Sequence, residues 1–208
     1  KALAISRRVL GEDHPQTAGA YECAAGNLQA QAKYAEAQPL FEKALVINRR
    51  VLGEDHPETA KSYNGVAISL QDRGKYAEAQ PLLEKALEIN LRFLFENHPD
   101  TAACYNNLAL NLDAQGKYAE AQPLLEVALQ ISRRRLGEDH PNTAAFYGNL
   151  ASILAHQENY TDAQPLFEKA LEITRRLLTD NHPQTAACYN GLAYNLDAQG
   201  KHAEAQPL

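Results

Sequence analysis

Five histidines, His14, His56, His98, His140 and His182, recur at intervals of 42 residues, each followed by proline. Imidazoles at a fixed spacing invite a metal reading, but a shared zinc needs every ligating nitrogen within about 2.1 Å of the ion. Packed helical repeats advance by about 10 Å each. One histidine per repeat therefore builds no shared site, and neither a metal nor another cofactor is expected. The pair reads instead as a helix start: Asp13, Asp55, Asn97, Asp139 and Asn181 precede it, and a capping side chain ahead of a proline near the first helical position marks an N-terminus. The other reactive residues are three cysteines, Cys23, Cys104 and Cys188. Cys104 and Cys188 lie two repeats apart, beyond the ~7 Å between Cα atoms that a disulfide spans. Reduced thiols and a cytoplasmic location are the expectation. No nucleophile–base constellation, phosphate loop or paired-carboxylate cleft is present in the sequence, so no catalysis is expected.

The elements that carry these residues come from duplication. Each His-Pro pair is followed by one variable residue and then Thr-Ala, and the segments Tyr34 to Leu40, Tyr76 to Leu82, Tyr118 to Leu124, Tyr160 to Leu166 and His202 to Leu208 repeat at the same interval. In the third unit, Tyr105, Leu108, Ala109 and Leu112 follow the spacing of one helical face, which predicts a first helix, A. Tyr118, Ala121, Leu125, Ala128, Leu129 and Ile131 predict a second, B. Gly74, Gly116 and Gly200 suit the left-handed residue that closes helix A. Ala32 and Glu158 stand at that position in units one and four, where the left-handed conformation costs about 1 kcal/mol; those turns are expected to be weaker or differently shaped. Arginines close the B helices at Arg49-Arg50, Arg133 to Arg135 and Arg175-Arg176, opposing the helix dipole. The array expected is a partial helix B at 1–13, repeats at 14–55, 56–97, 98–139 and 140–181, and a partial repeat at 182–208. No single hairpin buries its apolar face, so stability is a sum of hairpin and nearest-neighbour terms along a superhelix with a concave face.

Composition narrows the partners. The formal charge is −6, which removes the attraction that a nucleic-acid or anionic-membrane binder needs. No apolar run approaches the ~20 residues that span a bilayer, and the chain reads as soluble. It opens on Lys1 rather than Met, as a fragment would.

The pattern Tyr105, Leu108, Ala109, Leu112, Tyr118, Ala121, Leu125, Ala128 resembles the tetratricopeptide consensus, and the whole chain resembles the 42-residue repeats of kinesin light chains. The features that carry this are the Gly-Glu-Asp-His-Pro linkers (Gly11 to Pro15, Gly53 to Pro57, Gly137 to Pro141), Asn106-Asn107-Leu108-Ala109 and Gln115-Gly116-Lys117-Tyr118. Similar repeats occur in bacterial and cyanobacterial proteins, so the resemblance carries no implication of cargo transport. It implies an all-α tetratricopeptide solenoid, a right-handed superhelix of antiparallel hairpins, with helix A lining a peptide groove. Carried over by position, the groove asparagines are Asn64, Asn106, Asn107, Asn149 and Asn190, whose amides both donate and accept. Lys61 and Tyr194 join them, with Ile68 and Leu110 as further apolar seats. Kinesin light chains accept acidic peptides on basic residues; the same face here carries Glu22, Asp72, Asp113 and Asp197 against Lys61, so a neutral or basic peptide is expected.

Two functions follow. The first is a protein-interaction scaffold holding an extended partner segment in the groove, favoured because Glu22, Lys61, Asn107, Ser152 and Tyr194 differ in kind along that face. The alternative is an architectural spacer or self-associating stalk. Leu208 aligns with Leu40 and Lys1 with Lys43, so the chain starts and stops part-way along B helices. Seven residues, His202 to Leu208, fall well below the ~12–15 at which an isolated helix becomes marginal. Leu3, Ile5 and Leu10 of a second copy would complete them head to tail, placing Leu208 and the next Lys1 about 5 Å apart between Cα atoms.

Overall fold

The computed structural model describes residues 1–207, and all regular structure among them is helical. The A helices are α2 (Pro15–Gln29), α4 (Pro57–Gln71), α6 (Pro99–Ala114), α8 (Pro141–His156) and α10 (Pro183–Ala198). The B helices are α1 (Ala2–Leu10), α3 (Tyr34–Val51), α5 (Tyr76–Phe93), α7 (Tyr118–Arg135), α9 (Tyr160–Leu178) and α11 (His202–Ala205). Two compact units result, one of residues 1–96 and one from residue 97 onward. In the first, α1 packs on α2, α2 on α3, α3 on α4 and α4 on α5. In the second the same succession runs from α6 to α11.

Each residue of the His-Pro-x-Thr-Ala motif has a physical task. The histidine is itself the cap: its Nδ1 accepts the N–H of Gln16, Glu58, Asp100, Asn142 or Gln184 at 3.1–3.2 Å. Proline follows at a position whose N–H would be orphaned. Thr17, Thr59, Thr143 and Thr185 are fully buried and donate to the linker carbonyls of Gly11, Gly53, Gly137 and Thr179 at 2.8 Å. Ala18, Ala60, Ala102 and Ala144 lie at the crossing with helix B, buried like Ala37, Ala79, Ala121 and Ala163 opposite. Small residues at that crossing let the backbones approach while Leu83, Leu125, Ile89 and Ile131 fill the core around them.

The acidic residue before each histidine does not cap. Asp13, Asp55 and Asp139 form ion pairs with Arg50, Arg92 and Arg176 at the end of the following B helix. Where Asn97 replaces the acid, Arg135 donates to its backbone carbonyl at 2.9 Å. The B-terminal arginines are thus tied down, in addition to any effect on the helix dipole. A second clasp joins linker to next A helix wherever an arginine stands five residues before the linker acid, which excludes the linker after Leu91. Arg49 Nε donates to Glu54 at 2.6 Å and Arg133 to Glu138 at 2.7 Å, and the Tyr63 and Tyr147 hydroxyls donate to the same carboxylates. Arg7, Glu12 and Tyr21 repeat the arrangement. The tyrosine hydroxyl, with the arginine, holds Glu54 and Glu138 below the usual carboxylate range. Burial and the adjacent carboxylate push Tyr63 and Tyr147 up to about 12.

The turns from A to B keep one shape. φ is 58° at Ala32 and 62° at Glu158, against 73–76° at Gly74, Gly116 and Gly200. At every turn the next N–H reaches back to a leucine carbonyl at 2.9 Å: Lys33 to Leu28, Lys75 to Leu70, Lys117 to Leu112, Asn159 to Leu154 and Lys201 to Leu196. The expected difference in shape is therefore absent, because this six-residue hydrogen bond fixes the turn and the two non-glycine residues bear the strain. In the linkers, Phe95 at φ 65° and Thr179 at φ 75° likewise stand where Gly11, Gly53 and Gly137 hold the corresponding position.

Packing between a B helix and the next A helix uses two alternative pairs. Phe41 on α3 covers Gly65 on α4, and Phe167 on α9 covers Gly191 on α10: a Cβ would come within 2.8 Å and 2.5 Å of those rings. Leucine and asparagine hold the corresponding positions at Leu125 and Asn149, and in the sequence at Leu83 and Asn107. A large ring is matched by no side chain, and a smaller leucine by an asparagine.

Candidate functional site

The variation between repeats selects one face of helix A. Relative to Gly19, Lys61, Ala103, Ala145 and Ala187, the next variable positions lie three and four residues on (Glu22, Asn64, Asn106, Gly148, Asn190; then Cys23, Gly65, Asn107, Asn149, Gly191). They recur at seven (Gly26, Ile68, Leu110, Ser152, Tyr194). That spacing is one stripe of a helix. The five candidate asparagines therefore occupy two adjacent positions, with Asn64, Asn106 and Asn190 at one and Asn107 and Asn149 at the next.

In the first unit the stripe of α2 and α4 is polar and cross-linked. Ser62 Oγ donates to Glu22 at 2.5 Å and accepts from Asn48 Nδ2 at 2.9 Å, so three helices meet in one network. Burial pushes the Glu22 carboxyl up, partly offset by the Ser62 bond. Lys61 is exposed and donates to Glu58 at 2.6 Å, Asn64 is half-buried, and Asp72 at the end of the stripe accepts from Gln29.

In the second unit the asparagines engage one another. Asn149 Nδ2 donates to Asn106 Oδ1 at 2.8 Å, bridging α6 and α8, and Asn106 Nδ2 donates to Asn107 Oδ1 at 3.1 Å. Asn106 is buried. His156 pairs with Asp113 at 2.7 Å across the same two helices. Between α8 and α10 no such bridge forms, because Gly148 and Gly191 carry no side chain. A cleft of about 280 Å³ remains there, walled by Ala144, Gly148 and Ser152 on α8 and by Ala187, Cys188 and Gly191 on α10, with Phe167 and Thr174 as its floor. Asn190 is exposed beside it, and Tyr194 is 62% exposed one turn farther along α10.

Sequence reasoning placed Asn64, Asn106, Asn107, Asn149, Asn190, Lys61 and Tyr194 on helix A, and all lie on that stripe. It missed the bond between Asn106 and Asn149, the Glu22–Ser62–Asn48 network and the cleft. The repeats themselves held a signal for the last: glycine at 148 and 191 where other units carry asparagine. Among the described residues, no three His, Cys, Asp or Glu side chains converge as a metal site, and no helix is long and apolar enough to cross a membrane.

A tetratricopeptide repeat family model matches residues 16–91, 62–134, 114–153 and 142–208, and a second tetratricopeptide repeat model matches 1–16. No protein with a curated description matches. Among solved structures, a putative kinesin light chain of Podospora anserina with nearly identical TPR-like repeats is 29% identical over 93% of this chain and 92% of its own, with a TM-score of 0.79. BtubC (BKLC) from P. vanneervenii, 23% identical over 99% of this chain and 83% of its own, has a TM-score of 0.83 and shares the fold. The Pseudomonas aeruginosa protein pilF, 22% identical over 95% and 74%, has a TM-score of 0.67. With hairpins of 42 residues, a uniform His-Pro start and a variable A-helix stripe, the chain belongs to the tetratricopeptide repeat family in its kinesin light chain-like form, a fold that serves protein–protein interaction.

Proposed function

We propose that the variable A-helix stripe binds an extended segment of a partner protein, with neutral or basic segments favoured over acidic ones. The observation that carries this is the distribution of differences. Linkers and B helices are near copies, whereas Glu22, Lys61, Asn107, Ser152 and Tyr194 change size, charge and polarity at helical spacing on one stripe. A spacer has no need of such variety, while a binding surface must read different ligand positions differently. The acidic bias comes from Glu22, Asp72, Asp113 and Asp197; only Lys61 opposes it, and it is itself paired with Glu58. Asn190, exposed and with both amide functions open, is the asparagine best placed to hold a peptide backbone.

The test is fluorescence anisotropy against an array of labelled peptides of varied net charge. Saturable binding of neutral and basic peptides, weakened by salt, is the expected result. Asn190→Ala should lower affinity about fivefold, one hydrogen bond's worth. Preference for acidic peptides, or salt-independent binding of basic ones, would overturn the charge assignment.

The expected head-to-tail Leu208-to-Lys1 spacing lies outside the described residues.

A further inference from the structure

One linker of the first unit departs from the others at three positions. Elsewhere the B helix ends in an arginine that closes on the linker acid five residues later: Arg7 on Glu12, Arg49 on Glu54, Arg133 on Glu138 and Arg175 on Asp180, each at 2.6–2.7 Å. In α5 the same position is Leu91, ahead of Glu96. Leu91 has nothing to donate, Arg92 is engaged by Asp55 and Glu88, and Glu96 stands at the surface. The other two changes fall between them. Phe93 takes the place of a valine (Val9, Val51), and Phe95 that of a glycine (Gly11, Gly53). Leu91, Phe93 and Phe95 are 37%, 47% and 74% exposed, so each leaves apolar surface in water. Phe95 moreover holds φ at 65°, a left-handed conformation that glycine adopts freely and a residue with a Cβ does not. A strained, solvent-facing aromatic beside a carboxylate without its arginine is the mark of a recognition surface.

We infer that this edge of the first unit, from Leu91 to Glu96, docks a short apolar segment of a partner protein that carries the arginine the linker lacks. The repeats themselves identify the cation, because the acid at this position takes a guanidinium in every other linker. An arginine brings a fork of donors for the carboxylate and a flat cationic face for a neighbouring phenylalanine ring. Size argues for a segment rather than a second copy of this chain. At roughly 200 Å² per phenylalanine, Phe93 and Phe95 together expose about 240 Å², against the ~800 Å² per partner that a standard interface between folded proteins buries. The site lies on a B helix and its linker, apart from the A-helix stripe, and stands independently of the groove reading.

The probe is a fluorescein-labelled helical peptide, Ser-Ala-Leu-Arg-Ala-Leu-Leu-Arg-Gln-Leu-Ala-Arg-amide, whose leucines form one stripe flanked by arginines; a second version has every arginine replaced by glutamine. Anisotropy is read with the parent chain and with Leu91→Arg, Phe95→Gly and Glu96→Gln. The first two restore the residue that other repeats carry, and Phe95→Gly also removes the left-handed strain, so both retain the fold; circular dichroism melts verify this. Saturable binding is expected, weakened about tenfold or more by Phe95→Gly, the loss of one aromatic anchor. Leu91→Arg should weaken it as much, by returning an arginine to Glu96 from within the chain. The penalty for removing the peptide's arginines should shrink in Glu96→Gln, the coupling expected of a direct pair. If the Leu91→Arg, Phe95→Gly double variant binds the peptide as well as the parent does, or if no saturable binding is seen, the proposal is wrong. If sedimentation shows the parent associating with itself and the double variant not, while the peptide stays unbound, a second copy is the occupant and the proposal is equally wrong.

Discussion

Replacing Gly191 by asparagine tests the packing logic that sets the spacing between repeats. A Cβ at 191 would stand 2.5 Å from Phe167 Cε1, 2.9 Å from Cδ1 and 3.2 Å from Cζ, so the buried ring must move. Overpacking of this kind costs about 1–3 kcal/mol, and the improved helix propensity of asparagine over glycine returns only a few tenths. A net loss of about 1–2.5 kcal/mol is expected. Phe167→Leu alone shrinks the ring and leaves a void, costing about 1–1.5 kcal/mol. Together the two changes recreate the leucine–asparagine pair that Leu125 and Asn149 form naturally. The double variant should therefore be more stable than the sum of the singles by at least about 1 kcal/mol, a coupling expected only of residues in contact. Urea unfolding followed by circular dichroism measures this, provided the m-value stays constant across the four proteins. Additivity within about 0.5 kcal/mol, the behaviour of independent sites, would refute the reasoning.

Three further outcomes follow from side-chain chemistry. Tyr63 and Tyr147 are pushed up to about 12, so the folded state binds their protons more tightly than the unfolded chain does. Their contribution is complete below about pH 10 and is lost as pH rises toward 12; the thermal midpoint should fall across that window, and less steeply in a Tyr63→Phe, Tyr147→Phe double variant. Glu22 is raised by burial, so its stabilising protonation is present below the usual carboxylate range and lost as pH climbs through the raised value; Glu22→Gln should melt higher than the parent at pH 7 and no higher at pH 3. His140→Ala removes the acceptor for the Asn142 N–H and should cost about 1 kcal/mol in a denaturant titration, whereas His140→Asn should recover most of it.

Much of the fold was legible because duplication gives the sequence its own comparison. Helix phases, the His-Pro start and the glycine turns all followed from spacing. Ala32 and Glu158 were read as a source of altered shape, yet a backbone bond reaching five residues back holds the turn whatever side chain it carries. The acids before histidine were read as caps because capping residues and ion-pair partners are the same residue types; only the position of Arg50 or Arg176 in space separates the two roles. The clasp of Arg49, Glu54 and Tyr63 was available in principle, since the same three positions recur at Arg7, Glu12 and Tyr21 and at Arg133, Glu138 and Tyr147. Asn106 and Asn149 were less readable. They occupy different repeat positions, and their bond depends on how far one A helix stands from the next.

Photo-crosslinking locates a bound peptide directly. With benzoylphenylalanine placed in turn at Ile68, Leu110 and Tyr194 on the A-helix stripe, and at exposed Glu84, Glu126 and Glu168 on the B helices, a labelled basic peptide that shows saturable binding should crosslink at the first three positions and not at the second. Crosslinks confined to the B-helix positions, with the stripe silent, would contradict the assignment of helix A as the binding face.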